Sequence, residues 1–204
     1  MSASDHELLS AWRGGDRKAG SELFDRHFLS LRRFFRNKVS DESEADELLQ
    51  RSFMGCVSGV ERFREESSFR TWLFAVAHNV LREHLRERAR RPLDFGSVSL
   101  AELGPGPSTA FARQREQRLL LEALRALPLE SQVLLELYYW EQLPAPELAQ
   151  IFDVPVGTVR GRIRKAKQLL SVELARISRE GEALETTEEQ LDDWAKRVRE
   201  AWGV

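Results

Sequence analysis

The 204-residue chain has a single cysteine, Cys56, and therefore cannot form an internal disulfide. No apolar run approaches the roughly 18 residues that a membrane-spanning helix needs. The first residues, MSASDHELLSAW, lack the basic start and the apolar stretch of a secretory signal peptide. We therefore expect a cytoplasmic protein with no membrane insertion.

Motifs that carry chemistry are also missing. The four histidines, His6, His27, His78 and His84, show no metal-ligand spacing, and Cys56 has no second cysteine to complete a site. The chain contains no phosphate-binding loop, nucleophile elbow or metalloprotease pattern. The sequence therefore predicts a protein that has no metal, no cofactor and no enzymatic activity.

An excess of charge of one sign is absent as well. Lysine and arginine number 31 against 33 acidic residues, and the pI is near 6.2. A nucleic-acid-binding domain is usually basic as a whole. However, residues 82–91 hold five arginines against two glutamates, and residues 180–200 hold eight acidic side chains against three basic ones. The near-neutral total thus conceals local basic patches and an acidic stretch.

Apolar residues recur at helical period along most of the chain, and no segment alternates as a strand would. This pattern predicts helices over residues 5–13, 16–38, 41–61, 67–90, 113–126, 128–140, 145–152 and 155–174. Residues 92–112 contain three prolines and three glycines, a composition typical of a linker.

The predicted fold class is all-α, with two small helical domains joined by a flexible linker and followed by a C-terminal amphipathic helix. We place the first domain at residues 1–91, the linker at 92–112, the second domain at 113–175 and a C-terminal extension at 176–204.

The most informative stretch is PVGTVRGRIRKAKQLL, residues 155–170, which has five basic side chains and no acidic one. At helical period, Val159, Ile163, Ala166 and Leu170 share one face, while the glycines and most of the basic residues point away from it. Glycine inside a helix destabilises it by about 1 kcal/mol relative to alanine, and close approach to a polyanion would explain its presence. A short helix and a tight turn precede this segment, which is the helix-turn-helix layout.

The C-terminal extension contains Thr187 and Gln190 at the spacing of a capping box. Leu191, Trp194, Val198 and Trp202 would line one face of the helix that follows. The acidic content of this helix suggests a regulatory role, in competition with DNA or by docking on a domain or partner. The alternative is a helix that merely extends the second domain.

Both halves of the chain resemble one family. ADELLQRSF (45–53) and RFREESSFRTWLFAVAHNVLREHLRERARR (62–91) are similar to domain 2 of bacterial sigma factors of the extracytoplasmic-function (ECF) type. Residues 124–170 are similar to domain 4 of the same proteins, and residues 5–28 fit the start of domain 2. The resemblance implies a non-catalytic promoter-specificity subunit. It would bind core RNA polymerase and direct transcription initiation at minus-35 and minus-10 promoter elements.

The resemblance also implies three sets of site residues. The basic helix would contact the minus-35 element, since phosphate contacts give affinity and arginine forks on guanine give specificity. Its candidates are Thr158, Arg160, Arg162, Arg164, Lys165 and Lys167.

The minus-10 element would be read by the fourth helix and the loop before it, in which a flipped base is pocketed. The candidates are Phe63, Arg64, Ser67, His78, Asn79, Arg82 and Arg86. For Phe63, a place in the core is an equally open interpretation.

The third helix would bind the largest polymerase subunit through a polar surface with a small apolar centre. The candidates are Asp46, Glu47, Gln50, Arg51 and Met54. Members of the family are often held inactive by a partner anti-sigma factor, so such a partner is a candidate here too.

Two positions depart from the family pattern. Pro144, Ala145 and Pro146 stand where a serine usually caps the first helix of the helix-turn-helix. Val57 replaces a tryptophan of the third helix, which we expect to alter core packing only. The competing hypothesis is a helix-turn-helix regulator that acts without polymerase, although the sequence shows no dimerisation heptads. An enzyme or a pure scaffold is the third alternative, and no site supports it.

Overall fold

The computed structural model describes residues 3–39, 41–89, 92–103 and 115–178, and within these ranges the fold is helical, with one isolated bridge between Ser99 and Pro128. This confirms the all-α prediction. The helices are α1 (Asp5–Arg13), α2 (Arg17–Arg36), α3 (Glu42–Gly59), a 3-10 turn (Val60–Arg62), α4 (Phe69–Ala89), α5 (Leu100–Leu103), α6 (Arg115–Ala126), α7 (Leu129–Tyr139), α8 (Ala145–Phe152) and α9 (Val156–Ser178).

Capping side chains set where the first three helices begin. Ser4 and Glu7 form a capping box at α1, and the Asp16 carboxylate accepts from the backbone of Lys18 and Ala19 at the start of α2. Asp41 does the same for α3 through the Glu44 amide. Local sequence therefore determines where these helices begin, as predicted for Asp16.

Helices α1–α4 form the first domain around a core of fully buried aromatic and aliphatic side chains, among them Phe35, Phe74, Leu31 and Leu81. Cys56 lies in this core, and burial raises the pKa of its thiol to about 12.

Helices α6–α9 form the second domain, in which α6 and α9 pack around Leu124, Leu135 and Leu170. Pro144 occupies the cap position of α8 without a side-chain hydrogen bond, and Pro146 lies in the first turn. A first-turn proline is tolerated because its missing N–H has no helical partner there. The predicted start of this helix is therefore confirmed despite the absent cap.

The first part of the predicted linker is packed. Phe95, Val98 and Leu100 are buried, and the carbonyls of Val98 and Phe95 accept from the amides of Leu129 and Glu130 at 2.9 and 3.1 Å. The Pro and Gly content did not indicate this, because three apolar residues among them suffice to dock the segment. Residues 104–112 of the predicted linker and the predicted C-terminal amphipathic helix lie outside the described residues.

The two domains are in contact along α4 and α8, and one hydrophobic cluster includes buried residues from both. Charged groups surround this contact. Lys38 pairs with Glu136, and Glu141 accepts from Arg33 at 3.0 Å and from Arg70 at 2.6 Å. The structure is thus a closed arrangement of the two domains.

Candidate nucleic-acid and polymerase interfaces

The buried face of α9 orients the helix. Val159, Ile163, Ala166 and Leu170 are at most 9% exposed, which confirms the predicted apolar face. Asp153, in the left-handed conformation with φ 51°, ends α8 and turns the chain into α9. The helix-turn-helix geometry therefore follows from a short turn and an apolar seam.

The opposite face of α9 is exposed and basic. Arg160, Arg164 and Lys165 form no ion pair within the part of the chain that the structure describes. Thr158 is also exposed, and a Cβ placed on Gly161 would meet no atom within 4 Å. Unpaired cations on an open surface keep their full capacity to bind phosphate.

Two of the predicted minus-35 residues have protein contacts instead. Arg162 donates to the Glu130 carboxylate of α7 at 3.3 Å. The Lys167 ammonium lies 5.3 and 5.2 Å from the ring centroids of Tyr138 and Tyr139. Both contacts lie at the edge of the basic face, so the centre of that face is Arg160, Arg164 and Lys165.

The outer side of α4 carries an open cleft of about 420 Å³ that is lined by Val76, Asn79, Val80, Arg82, Glu83 and Arg86. Asn79 is exposed in it. The Arg82 and Arg86 guanidinium groups lie 5.2 and 5.1 Å from the Phe95 ring centroid. The structure thus brings three predicted minus-10 residues together, and the packed segment 92–103 holds two of them by cation–π contact.

His78 is separated from this group, because it points into the contact between the domains. It is 2% exposed, and its ring lies 4.9 Å from that of Phe152 on α8. Burial, together with the positive charges of Arg82 and Lys38, lowers its pKa from 6.5 to about 4. His78 is therefore neutral and covered in the closed arrangement.

The loop before α4 is shaped by aromatic packing. Phe63 stacks on Trp72 with ring centroids 4.4 Å apart and planes within 7°. One face of the Phe63 ring is thus occupied, which supports its interpretation as a packing residue. The neighbouring Arg64 side chain is 84% exposed, and Ser67 is half-buried.

The predicted polymerase surface on α3 is exposed and contains a large apolar side chain, Met54, of which 57% is accessible. Glu47 and Gln50 are exposed beside it. Asp46 accepts from Arg32 at 3.0 Å, and Arg51 donates to Glu83 at 2.9 Å.

Sequence reasoning missed Leu29, which is 72% exposed on α2. Arg32 donates to Asp46 and Phe24 packs on Phe53, so Leu29 lies level with about Leu49 on the antiparallel helix α3. A leucine next to the broad apolar face of α2 carries no signal that separates it from the core.

Sequence reasoning also missed the acidic residues that hold the domains together. Glu147 of α8 accepts from the Thr71 hydroxyl of α4, and Glu141 binds two arginines of the first domain. In the sequence these glutamates are indistinguishable from solvated helix residues.

No group of three or more His, Cys, Asp or Glu residues that could hold a metal ion occurs among the described residues. None of the described helices is long and apolar enough to cross a membrane.

Comparison with known proteins identifies the class to which this arrangement belongs. Residues 23–91 match the family model of sigma-70 region 2, and residues 117–170 match that of sigma-70 region 4. The sigma-H factor of Pseudomonas aeruginosa is 28% identical over 187 residues, which are 86% of this chain and 96% of that protein. The ECF sigma-E factor of Haemophilus influenzae is 28% identical over 179 residues, 82% of this chain and 93% of that protein.

A solved structure of CnrH in complex with the cytosolic domain of CnrY has a similar fold. Its TM-score is 0.62 at 24% identity, over 83% of this chain and 96% of that one. The two family-model matches and the sigma-factor relatives show that this chain belongs to the sigma-70 family, in its ECF group. It is a promoter-recognition subunit of RNA polymerase. Its family consists of non-catalytic transcription initiation factors.

Proposed function

We propose that the three surfaces divide the work of promoter recognition. The α9 face binds the minus-35 element, the α4 cleft with the loop 63–68 binds the minus-10 element, and α3 binds core polymerase. The observation that carries this proposal is the exposed face of α9, in which Arg160, Arg164 and Lys165 have no carboxylate partner within the described residues. Basic groups that are not neutralised within the protein are available to DNA phosphates and to guanine edges.

The α4 cleft suits an unpaired strand. Asn79 offers an amide that can pair with a base edge, while Arg82 and Arg86 offer positive charge along the same groove. His78 can join them only after α8 moves away, because Phe152 covers it. DNA binding at the minus-10 element is therefore coupled to separation of the two domains.

The α3 surface suits a protein partner. Met54 supplies an apolar centre, and Glu47, Gln50 and Asp46 supply a polar rim. Interfaces of this composition are typical of stable but non-obligate complexes. We assign this surface to core polymerase.

The similar structures suggest a further partner. CnrH was solved with the cytosolic domain of CnrY, and an RpoE of Bartonella quintana with the anti-sigma factor NepR, at TM-scores of 0.62 and 0.56. By analogy, an anti-sigma factor is a partner of this chain as well. The subunit itself performs no catalysis, and it acts in the cytoplasm, where polymerase and promoter DNA meet.

The test is promoter selection. Purified chain is combined with bacterial core polymerase, a library of random DNA is transcribed, and the templates that yield RNA are sequenced. We expect two enriched elements at fixed spacing. A chain that binds DNA alone at a palindrome, and starts no transcription with polymerase, would instead be a regulator that works without polymerase.

Matched variants separate the two interfaces. R164Q should lose minus-35 binding, while R176Q, at an exposed arginine of the same helix, should not. M54E should lose core polymerase, while V172E, at an equally exposed apolar residue of α9, should not. Binding losses that do not follow this division would contradict the assignment of surfaces.

A further inference from the structure

The loop that precedes α4 is held by a side chain from α1, the first helix of the domain. Arg13, the last residue of α1, donates from Nε and Nη2 to the Val60 carbonyl at 3.1 and 2.9 Å. Nη2 also donates to the Phe63 carbonyl, and Nη1 pairs with the Glu65 carboxylate. One guanidinium therefore binds three points of a six-residue segment.

The contact at Val60 stabilises the end of α3. Carbonyls at the C-terminus of a helix have no helical donor, and a cation placed there is favourable. Arg13 meets both needs, and its planar fork can reach Val60 and Phe63 together. The amide of Phe63 also donates to the Val60 carbonyl, at 3.3 Å. The Val60 carbonyl thus accepts from both Arg13 and the Phe63 amide, and these hydrogen bonds define the turn that leads into the loop.

The contact at Glu65 fixes the middle of the loop. Glu65 has φ 56°, a left-handed conformation that is unusual for a residue with a side chain. Its carboxylate is held by Arg13 and by His6, whose Nδ1 is 3.0 Å away, and both partners belong to α1. An unfavourable backbone conformation persists where the surroundings determine it.

Aromatic packing completes the arrangement. The Arg13 guanidinium carbon lies 5.7 Å from the Phe63 ring centroid, and Trp72 of α4 is stacked on the same ring. Phe63 is therefore part of the support of the loop. The loop leaves Arg64 and Glu66 largely accessible, at 84% and 78% exposure, together with Ser68, while Ser67 is half-buried.

We propose that Arg13 is a positioning residue for promoter opening. It holds the loop 63–68 in the one conformation that receives an unstacked base, and it does not touch DNA itself. This inference rests on the proposed minus-10 function of that loop. If the pocket is already formed, the loop loses no conformational entropy when the base binds. The cost of ordering it is then not subtracted from the free energy of binding.

The test compares R13Q and R13K with R17Q in the polymerase holoenzyme, on a promoter that the wild type has selected. Arg17, the exposed first residue of α2, is the matched control. Permanganate reactivity of thymines reports opening at the minus-10 element. Binding of the holoenzyme to promoter duplex that has not yet opened reports minus-35 binding.

We expect R13Q to lower the rate of opening about tenfold, which corresponds to the ordering of roughly one backbone residue, with minus-35 and polymerase binding unchanged. R13K should show much of the same defect, because an ammonium cannot hold three points in a plane. R17Q should behave as the wild type. Amide exchange of residues 63–67 should be faster in R13Q than in the wild type.

Two results would overturn the role of Arg13. One is normal opening by R13Q and R13K. The other is an equal loss of opening, minus-35 binding and polymerase binding in R13Q, which would indicate a general folding defect. A wild-type holoenzyme that opens no promoter refutes the proposed function and the role of Arg13 with it, and that outcome is seen before any variant is made.

Discussion

Lys38, two residues beyond the end of α2, and Glu136 of α7 form an ion pair that joins the two domains and is closed off from solvent. None of the Lys38 side chain and 7% of the Glu136 side chain are exposed. Asn37 and Gln132 each donate to the Glu136 carboxylate at 2.8 Å, and Lys38 also donates to the Phe34 carbonyl at 2.6 Å. Burial lowers the pKa of Lys38, and Glu136 opposes that shift.

Removal of one partner from this pair should destabilise the closed arrangement. In E136Q the Lys38 ammonium loses its carboxylate partner and keeps only neutral groups around it, such as the Phe34 carbonyl and the introduced amide oxygen. A buried charge without its counter-charge destabilises by about 3–5 kcal/mol. We expect a lower free energy of unfolding in urea, or a larger radius of gyration if the domains separate first. The double variant K38M/E136Q should recover part of the loss.

The control for this experiment is E173Q. It removes a carboxylate from the second domain whose partner, Arg176, is on the same helix. If the free energy of unfolding of E136Q lies within about 0.5 kcal/mol of that of E173Q, and their radii of gyration agree within experimental error, the ion pair does not hold the domains together.

His78 should make the contact between the domains sensitive to acid. A histidine in the open or unfolded chain binds a proton near pH 6.5, whereas the covered His78 has a pKa of about 4. Between these values the open state binds more protons, so the stability of the closed state is present above pH 6.5 and falls as the pH drops. The shift corresponds to at most about 3 kcal/mol.

The measurement is urea unfolding or X-ray scattering from pH 7.5 to 4.5 for the wild type and H78Q. Carboxylates titrate in both proteins, so the difference between the two curves isolates the histidine. Curves that run parallel over this range would show that His78 does not contribute to the pH dependence.

The sequence predicted the parts of the molecule that depend on nearby residues. The apolar face of α9 follows from the local periodicity of its sequence, and the start of α2 follows from the capping side chain of Asp16. The exposed basic face followed from the same periodicity, because a helix that buries Val159 and Ile163 must turn Arg160 and Arg164 outwards.

Contacts between distant residues could not be read in this way. Arg33 and Glu141 are 108 positions apart, and each has the composition of an ordinary surface residue. The same limit applies to Phe63, whose spacing does not reveal that Trp72 stacks on it. Arg13 was not among the predicted site residues, since its partners are two backbone carbonyls and a loop glutamate.

Cys56 should be unreactive towards thiol reagents in the folded protein. It is fully buried, and its pKa of about 12 leaves almost no thiolate at pH 8. Iodoacetamide should therefore label the native chain far more slowly than the urea-unfolded chain, in which the thiol has an ordinary pKa. Equal labelling rates would show that the core of the first domain opens readily.

Gly161 offers a test in which stability and DNA binding move in opposite directions. It lies within α9, and a Cβ at this position would meet no protein atom within 4 Å. The free energy of unfolding of G161A should therefore exceed that of the wild type by about 0.5–1 kcal/mol, because glycine is a poor helix former. If the glycine is retained for close approach of the helix to DNA, the added methyl group should weaken holoenzyme binding to the minus-35 element.

The control for G161A is A175G, a change of the same kind in reverse in the last turn of α9 and away from the basic face. It should lower stability and leave DNA binding unchanged. Thermal unfolding and fluorescence anisotropy with a minus-35 duplex measure the two effects. A G161A variant that is more stable and binds DNA as tightly as the wild type would mean that α9 reaches DNA through its side chains alone, without close approach of its backbone.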